Sequence, residues 1–341
     1  MLPTIKDETI KTLSVPVEWV VIEGSGGRNI SDLDAVGLYR AFLDVSDPLD
    51  TSYAKIFGAL FRDGTDDGDR TLRNRIEKLR HDFENKDSME TPVPAKLNAN
   101  GTFELLDGHH RCADAIARGM NVVDLDIKYV SPLWSDLESR ILSIYGEKKL
   151  NQRIEHPWFN DWHVARTDDR GNCILNYIRG MSFTKRNSVD IGCCTGRLSR
   201  LLRAEGFNAY GFDRDPNVIH VADHLNMVFG SNVNFTVFGD IETMVKGCGM
   251  AKTNVVVCLS VLHHYLWEGT PQRYLDTIKM LLENSNVLFF DHLNEEDRSL
   301  LKTDEVPLGV QGLIDWIREM TGFSVVQIGE FEERPLFASA S

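Results

Sequence analysis

Two rhythms of apolar and polar positions run along this chain. In the first third, "VPVEWVVI" (15–22) reads as a strand and "GSGGRN" as the loop after it. "SDLDAVGLYRAFLD" has helical spacing, with Ser31 or Asp32 placed to cap it. "DGTDDGD" (63–69) reads as a polar loop and "RTLRNRIEKLRHDFEN" as a charged amphipathic helix. "PVPAKLN" and "FELLDG" predict two short strands around an "ANG" turn, "HHRCADAIARGM" a helix ended at Gly119, and "VVDLDIKYV" an alternating strand. From Ser131 to about Gly180 the spacing is helical, interrupted by the aromatic segment "HPWFNDWH".

Beyond that segment strands and helices alternate. "NSVDIG", "NAYGFDRD", "VNFTVFGD", "NVVVCLS" and "NVLFFDH" read as strands, with "GRLSRLLRAEG", "PNVIHVADHLNMVF" and "PQRYLDTIKMLLEN" as helices. This βαβ rhythm predicts a mostly parallel, doubly wound α/β sheet. "FSVVQIGEFEERPLFASA" adds two strands about a short turn, a hairpin at one sheet edge. The organisation expected is a smaller α+β domain over 1–132, a helical connector over 133–180 and the doubly wound domain over 181–341.

The length of 341 residues agrees with two domains. The net charge of −14 divides evenly: residues 1–150 hold 26 acids and 19 bases, residues 151–341 hold 25 and 18. Neither half is basic, which counts against a general nucleic-acid binder. No apolar run approaches the roughly 18 residues of a membrane span, and "MLPTIKDETIKTL" lacks the apolar core of a signal peptide. A cytoplasmic protein is expected. The cysteines (Cys112, Cys173, Cys193, Cys194, Cys248, Cys258) show no paired spacing, so reduced thiols and no metal site are expected.

Open α/β sheets bind ligands beyond the carboxyl ends of their strands. The first such loop is "DIGCCTG". Gly192 and Gly196 stand four apart, unlike a G-x-G-x-x-G fingerprint, and no Lys-Ser/Thr pair follows as in a P-loop. Asp213, 21 residues beyond Gly192, is placed to accept both hydroxyls of a ribose. Asp240 and Ile241, in "GDI", suit an adenine with its polar edge and flat faces.

The series "VDIGCCTGRLS…GFDRD…GDIE…CLSVLHHY…VLFFD" resembles the class I S-adenosylmethionine-dependent methyltransferases, over roughly 181–341. The resemblance implies a Rossmann-like sheet with a terminal antiparallel hairpin. It also implies that Asp190, Gly192, Cys193 and Gly196 line the methionine part of S-adenosylmethionine, Asp213 the ribose, Asp240 and Ile241 the adenine, and Ser260 to Leu262 the sulfonium side. Were the acceptor a hydroxyl, His263, His264, Asp291 and His292 lie at strand ends where a base is useful, and His263, of the two adjacent histidines the one nearer the strand end, is the expected catalytic base. The chain lacks the [DNS]-P-P-[YFW] tetrad of amino-methylating DNA enzymes and the Pro-Cys of cytosine-C5 enzymes. A small molecule or a protein side chain remains as acceptor.

"LLDGHHRCADAIARG" ends a strand, turns at Asp107-Gly108 and opens a helix with His109, His110 and Arg111. A helix N-terminus with such donors suits phosphate. The motif resembles the ParB/sulfiredoxin superfamily, over about 13–130. Its "DGHHR" resembles members that phosphorylate free serine, which implies nucleotide binding by Gly108, His109, His110 and Arg111 and a catalytic role for Asp107. ATP or ADP with Mg²⁺ is the implied ligand, and Glu23 or Arg28 could join the site. His109 stands where sulfiredoxins carry their catalytic cysteine, so peroxiredoxin repair is not expected.

The expectation is therefore a methyltransferase of a small polar metabolite with a nucleotide-binding first domain. A bifunctional kinase-methyltransferase and a DNA-associated regulator are the alternatives, the charge counting against the latter.

Overall fold

The structure is a computed structural model, described over residues 10–22, 27–44, 46–61, 66–85, 91–165, 169–247, 253–294, 301, 305–307 and 309–340. It divides into two units: Met1–Glu138 with Glu155–Asp161, and Ser139–Ile154 with Trp162–Ser341. The expected connector is thus shared between them. No helix among the described residues is long and apolar enough to cross a membrane.

The first unit holds β1 (Lys11–Pro16), β2 (Val20–Ile22), β3 (Val93–Leu97), β4 (Phe103–Leu105) and β5 (Val122–Val130) in a mixed sheet of order β1-β5-β3-β4-β2. Alternation drives Leu13, Val15, Val93, Ala95, Leu97, Val123, Leu125 and Ile127 into the core. On the outer face Thr12 donates to Asp126 at 2.7 Å and Ser14 to Asp124 at 2.6 Å, tying β1 to β5. The single strand expected over 15–22 is in fact two. A 3₁₀ turn over Val17–Trp19 follows Pro16, so one apolar run supplies both edges of the sheet.

The unit's helices are α1 (Asp34–Leu43), α2 (Ser52–Phe61), α3 (Asp66–Asn85) and α4 (His109–Ala117). Neither Ser31 nor Asp32 caps α1. Both lie in a 3₁₀ turn whose cap is Asn29, accepting the Ser31 N–H at 2.8 Å. The backbone of 66–69, expected as loop, is the first turn of α3; residues 63–65 and Glu23 lie outside the described residues.

Residues 155–161 carry His156 into an aromatic cage. Trp134 lies 4.5 Å away between ring centres, Trp19 4.6 Å and Phe103 5.5 Å. His156 Nδ1 accepts the Trp158 N–H at 3.2 Å, so Nε2 carries the proton and donates to the Gly101 carbonyl at 2.7 Å. Burial pulls the ring pKa down to about 4.

The second unit begins with the end of α5 (Pro132–Tyr145), a short pair β6 (Lys149–Leu150) and β7 (His163–Val164), and α6 (Arg170–Arg179). The main sheet follows: β8 (Asn187–Ile191), β9 (Asn208–Asp213), β10 (Asn234–Val237), β11 (Thr253–Cys258), β12 (Ser285–Asp291), β13 (Val325–Phe331) and β14 (Arg334–Ala340). Its order is β10-β9-β8-β11-β12-β14-β13, parallel through β12, with β14 antiparallel to both neighbours.

The doubly wound sheet and terminal hairpin expected from the sequence are both present, with β14 inserted between β12 and β13. Every residue of β11 is buried, as a strand covered on both faces must be. Helices α7 (Arg197–Ala204), α8 (Pro216–Val228), α9 (Ile241–Gly247), α10 (His263–Trp267), α11 (Pro271–Glu283) and α12 (Gly309–Thr321) complete the unit.

Candidate active site

At the carboxyl end of β8 the chain must reverse in a confined space. Gly192 has φ +72°, and a Cβ on it would lie 2.3 Å from Val261 Cγ2. Gly196 has φ +76°, and its Cβ would fall 2.3 Å from Phe235 Cζ. Both positions therefore need a residue with no side chain. Between them, Gly192 and Cys193 donate backbone N–H groups to the Phe212 carbonyl at 2.8 and 3.0 Å, fastening the loop to β9.

Cys194 sits at φ +52°, unusual for a residue with a Cβ. Its N–H donates to Asp213 Oδ2 at 3.1 Å, and Asp213 Oδ1 accepts the Asp215 N–H at 3.1 Å. The loop is thereby bonded to the acid at the tip of β9. Asp190, buried at the end of β8, accepts from Ser199 Oγ at 2.6 Å. Burial pushes its carboxyl up to about 6, with the Ser199 bond opposing and Asp213 adding to the rise.

Burial also raises both thiols, so neither Cys193 nor Cys194 is a thiolate at neutral pH. No group of His, Cys, Asp and Glu suited to a metal ion occurs among the described residues. Cys248 lies outside them.

Two residues that no motif flagged reach this site. Tyr145, at the end of α5, places its hydroxyl 3.3 Å from Cys194 Sγ. Arg170, the first residue of α6, places Nη1 2.6 Å from Asp291 Oδ2 in a buried ion pair. Asp291 in turn accepts the Ser260 N–H at 2.6 Å and Ser260 Oγ–H at 3.1 Å. Ser260 has φ +57°.

Of the candidate bases, Asp291 is committed to Arg170 and Ser260. His292 is buried, its Nδ1 3.3 Å from the Tyr274 hydroxyl. His263 is buried and stacked on His264 at 4.6 Å, with Trp267 4.5 Å from His263 and 5.0 Å from His264. His264 is half-buried, and burial, then the Arg214 guanidinium, lower its pKa against the pull of Glu268.

The third loop is built differently. Asp240 caps α9, its two oxygens accepting the Thr243 N–H at 2.8 Å and Oγ–H at 2.7 Å. The Ile241 side chain packs into the core with Met244 and Phe212.

In the first unit, Gly108 caps α4 at φ +76° and donates its N–H to Asp107 Oδ1 at 2.6 Å. Arg111 donates to the Thr91 carbonyl at 3.0 Å and to its hydroxyl at 2.8 Å. His110 faces two tyrosines, Nδ1 3.2 Å from Tyr39 Oη and Nε2 3.5 Å from Tyr53 Oη. Burial, then Arg75 and His109, hold its pKa below the ordinary value. His109 is half-buried and Asp107 exposed. Arg28 lies 4.0 Å from Asp34.

Residues 151–333 match the family model described as a methyltransferase domain. The chain belongs to that family. The family expected from the series of motifs is thus the one matched over 151–333, a segment that includes α6 with Arg170.

Ubiquinone biosynthesis O-methyltransferase of Coxiella burnetii (strain Dugway 5J108-111) is 28% identical over 130 residues, 38% of this chain and 53% of that protein. The protein of the same name from Nitrosomonas europaea is 23% identical over 159 residues, 45% of this chain and 64% of that one. The chain thus spans about half the length of the curated relatives it matches. Among solved structures, WbdD is 19% identical with a TM-score of 0.48, over 60% of this chain and 47% of WbdD. Magnesium protoporphyrin IX methyltransferase (ChlM) of Synechocystis PCC 6803 with bound SAM is 17% identical with a TM-score of 0.37, over 60% of this chain and 90% of that one.

Proposed function

We propose that the second unit is an S-adenosylmethionine-dependent methyltransferase acting on a hydroxyl of a small polar metabolite. The observation that carries this reading is Asp213, held at the tip of β9 by the backbone of the glycine loop. Each of its oxygens carries one backbone N–H in this structure. An ionised carboxylate has about four acceptor positions, so both oxygens keep room for a ribose diol. The donor set fits the cofactor: Asp213 for the ribose, the turn of Gly192, Cys193 and Gly196 with Asp190 behind it for the methionine part, and Ser260 beside the sulfonium. Asp240 and Ile241 are proposed for the adenine: each Asp240 oxygen accepts one bond from Thr243 and keeps room for a further donor, while the Ile241 side chain lies in the core and would contribute through its backbone.

When bound, the cofactor supplies an already activated methyl electrophile, so the chain's own residues mainly align the acceptor. We assign the acceptor's proton to an imidazole nitrogen of the stacked pair His263–His264. The lowered pKa keeps His264 neutral near pH 7, as a base requires. The O-methyltransferase names of the relatives support an oxygen acceptor. Calorimetric titration of S-adenosylmethionine against wild type and Asp213→Ala tests the reading. Equal affinities would sink the ribose assignment.

For the first unit we propose a ParB/sulfiredoxin-like domain that binds ATP or ADP with Mg²⁺. Its support is the N-terminus of α4, which no side chain caps and where Arg111 is already oriented by Thr91. Gly108, His109 and Arg111 are the proposed phosphate contacts, with His110 anchored between Tyr39 and Tyr53. Asp107 would be the catalytic acid or base if this unit transfers phosphate. ATP, ADP and CTP titrations with and without Arg111→Ala decide this; no nucleotide bound by wild type reduces the motif to a structural turn.

A further inference from the structure

We infer that Arg170 is a positioning residue of the methyl-transfer site, fixing the segment Ser260–Leu262 over the glycine loop through Asp291. The inference rests on the methyltransferase reading above and adds a residue outside its motifs.

Four observations carry it. Arg170 and Asp291 form an ion pair with side chains 9% and 1% exposed, at 2.6 Å. Asp291 holds Ser260 twice, through its N–H at 2.6 Å and its Oγ–H at 3.1 Å, and Arg170 Nη1 also reaches Ser260 Oγ at 3.3 Å. Ser260 is thereby kept at φ +57°, a conformation that residues with a Cβ avoid and that persists only where the surroundings over-determine it. The next residue, Val261, fills the space where Gly192 would carry a Cβ, its Cγ2 2.3 Å from that point. One unbroken path therefore runs from Arg170 through Asp291, Ser260 and Val261 to the first glycine of the loop.

Stability alone is a weak reason for such a pair, because a buried ion pair contributes little net stability compared with apolar residues of the same size. Fixing a strained loop is what an apolar substitute could not do. Arg170 acts on Ser260, mainly through Asp291 and also by its own longer bond to Ser260 Oγ.

The test uses the full chain with Arg170→Met and Arg170→Lys, and two readouts: calorimetric titration with S-adenosylmethionine, and amide hydrogen exchange of the peptide carrying Ser260. Loss of a charged hydrogen-bond partner is expected to speed exchange at that peptide by roughly tenfold or more in Arg170→Met, with β8 and β11 unchanged, and to weaken S-adenosylmethionine by a similar factor. Arg170→Lys, which keeps a cation and its donors, is expected to recover most of both. Unchanged exchange at Ser260, or exchange that rises equally in every strand, overturns the inference. If wild type binds no S-adenosylmethionine the cofactor reading fails by itself, and the exchange arm still decides the clamp.

Discussion

The N–H of Cys194 lies 3.1 Å from the Asp213 carboxylate, so the glycine loop and the acid at the tip of the next strand are one hydrogen-bonded unit. A change at Asp213 is therefore felt on both sides of the site. Asp213→Asn places an amide NH₂ against the N–H of Cys194 or Asp215. Losing a hydrogen bond to a charged group, about 1.5–3 kcal/mol, predicts S-adenosylmethionine binding weaker by roughly tenfold to a hundredfold. Calorimetry reads this directly, and an unchanged affinity would separate the acid from the cofactor.

Gly192 is predicted to be among the least replaceable positions of the second unit. Alanine there adds the left-handed backbone cost, about 1 kcal/mol, to overpacking against Val261 of about 1–3 kcal/mol. The melting temperature of Gly192→Ala should fall by roughly 5 °C or more. Adding Val261→Ala removes the collision, so the double variant should recover part of the loss. Identical melting of the single and double variants would contradict the contact.

Cys193 and Cys194 are protonated, and their backbone is what the loop uses. Cys193→Ser with Cys194→Ser should therefore keep substantial S-adenosylmethionine affinity. Abolished binding in that variant would give the thiols a role beyond filling space.

His156 makes the first unit sensitive to acid. Its folded pKa, about 4, is depressed from the ordinary 6.5, so the unfolded chain binds the proton more readily. The neutral ring's full contribution is present above pH 6.5. It declines as pH falls below that value and is spent near pH 4, a change of about 3 kcal/mol at most. Unfolding measured between pH 7 and 4 should show a steeper loss in wild type than in His156→Gln. Parallel curves would rule out His156 as the source.

Much of the second unit was legible because its signals are local. Strand runs, two glycines at fixed spacing and an acid at the next strand tip are read within some 25 residues. Arg170 and Tyr145 were not legible, since each reaches its partner only after folding, across 121 and 49 residues of chain. Helix α12 was missed too; Gly309 and Gly312 in its first turn weaken the helical signal of "LIDWIREM". In the first unit, the strand over 15–22 looked continuous because its apolar run is unbroken, although Pro16 and the turn after it send the two halves to opposite edges of the sheet. The side chain of Ile241 suited adenine by type, but the core claims it.

The chain passes from one unit to the other at 138/139, 154/155 and 161/162. No single cut can therefore release both halves intact. A fragment starting at 162 keeps the parallel strands but loses Tyr145 and β6, and one ending at 154 loses the histidine at the centre of the first unit's aromatic cage. Exchange of either half between proteins by simple end-to-end fusion would therefore remove a piece of at least one unit.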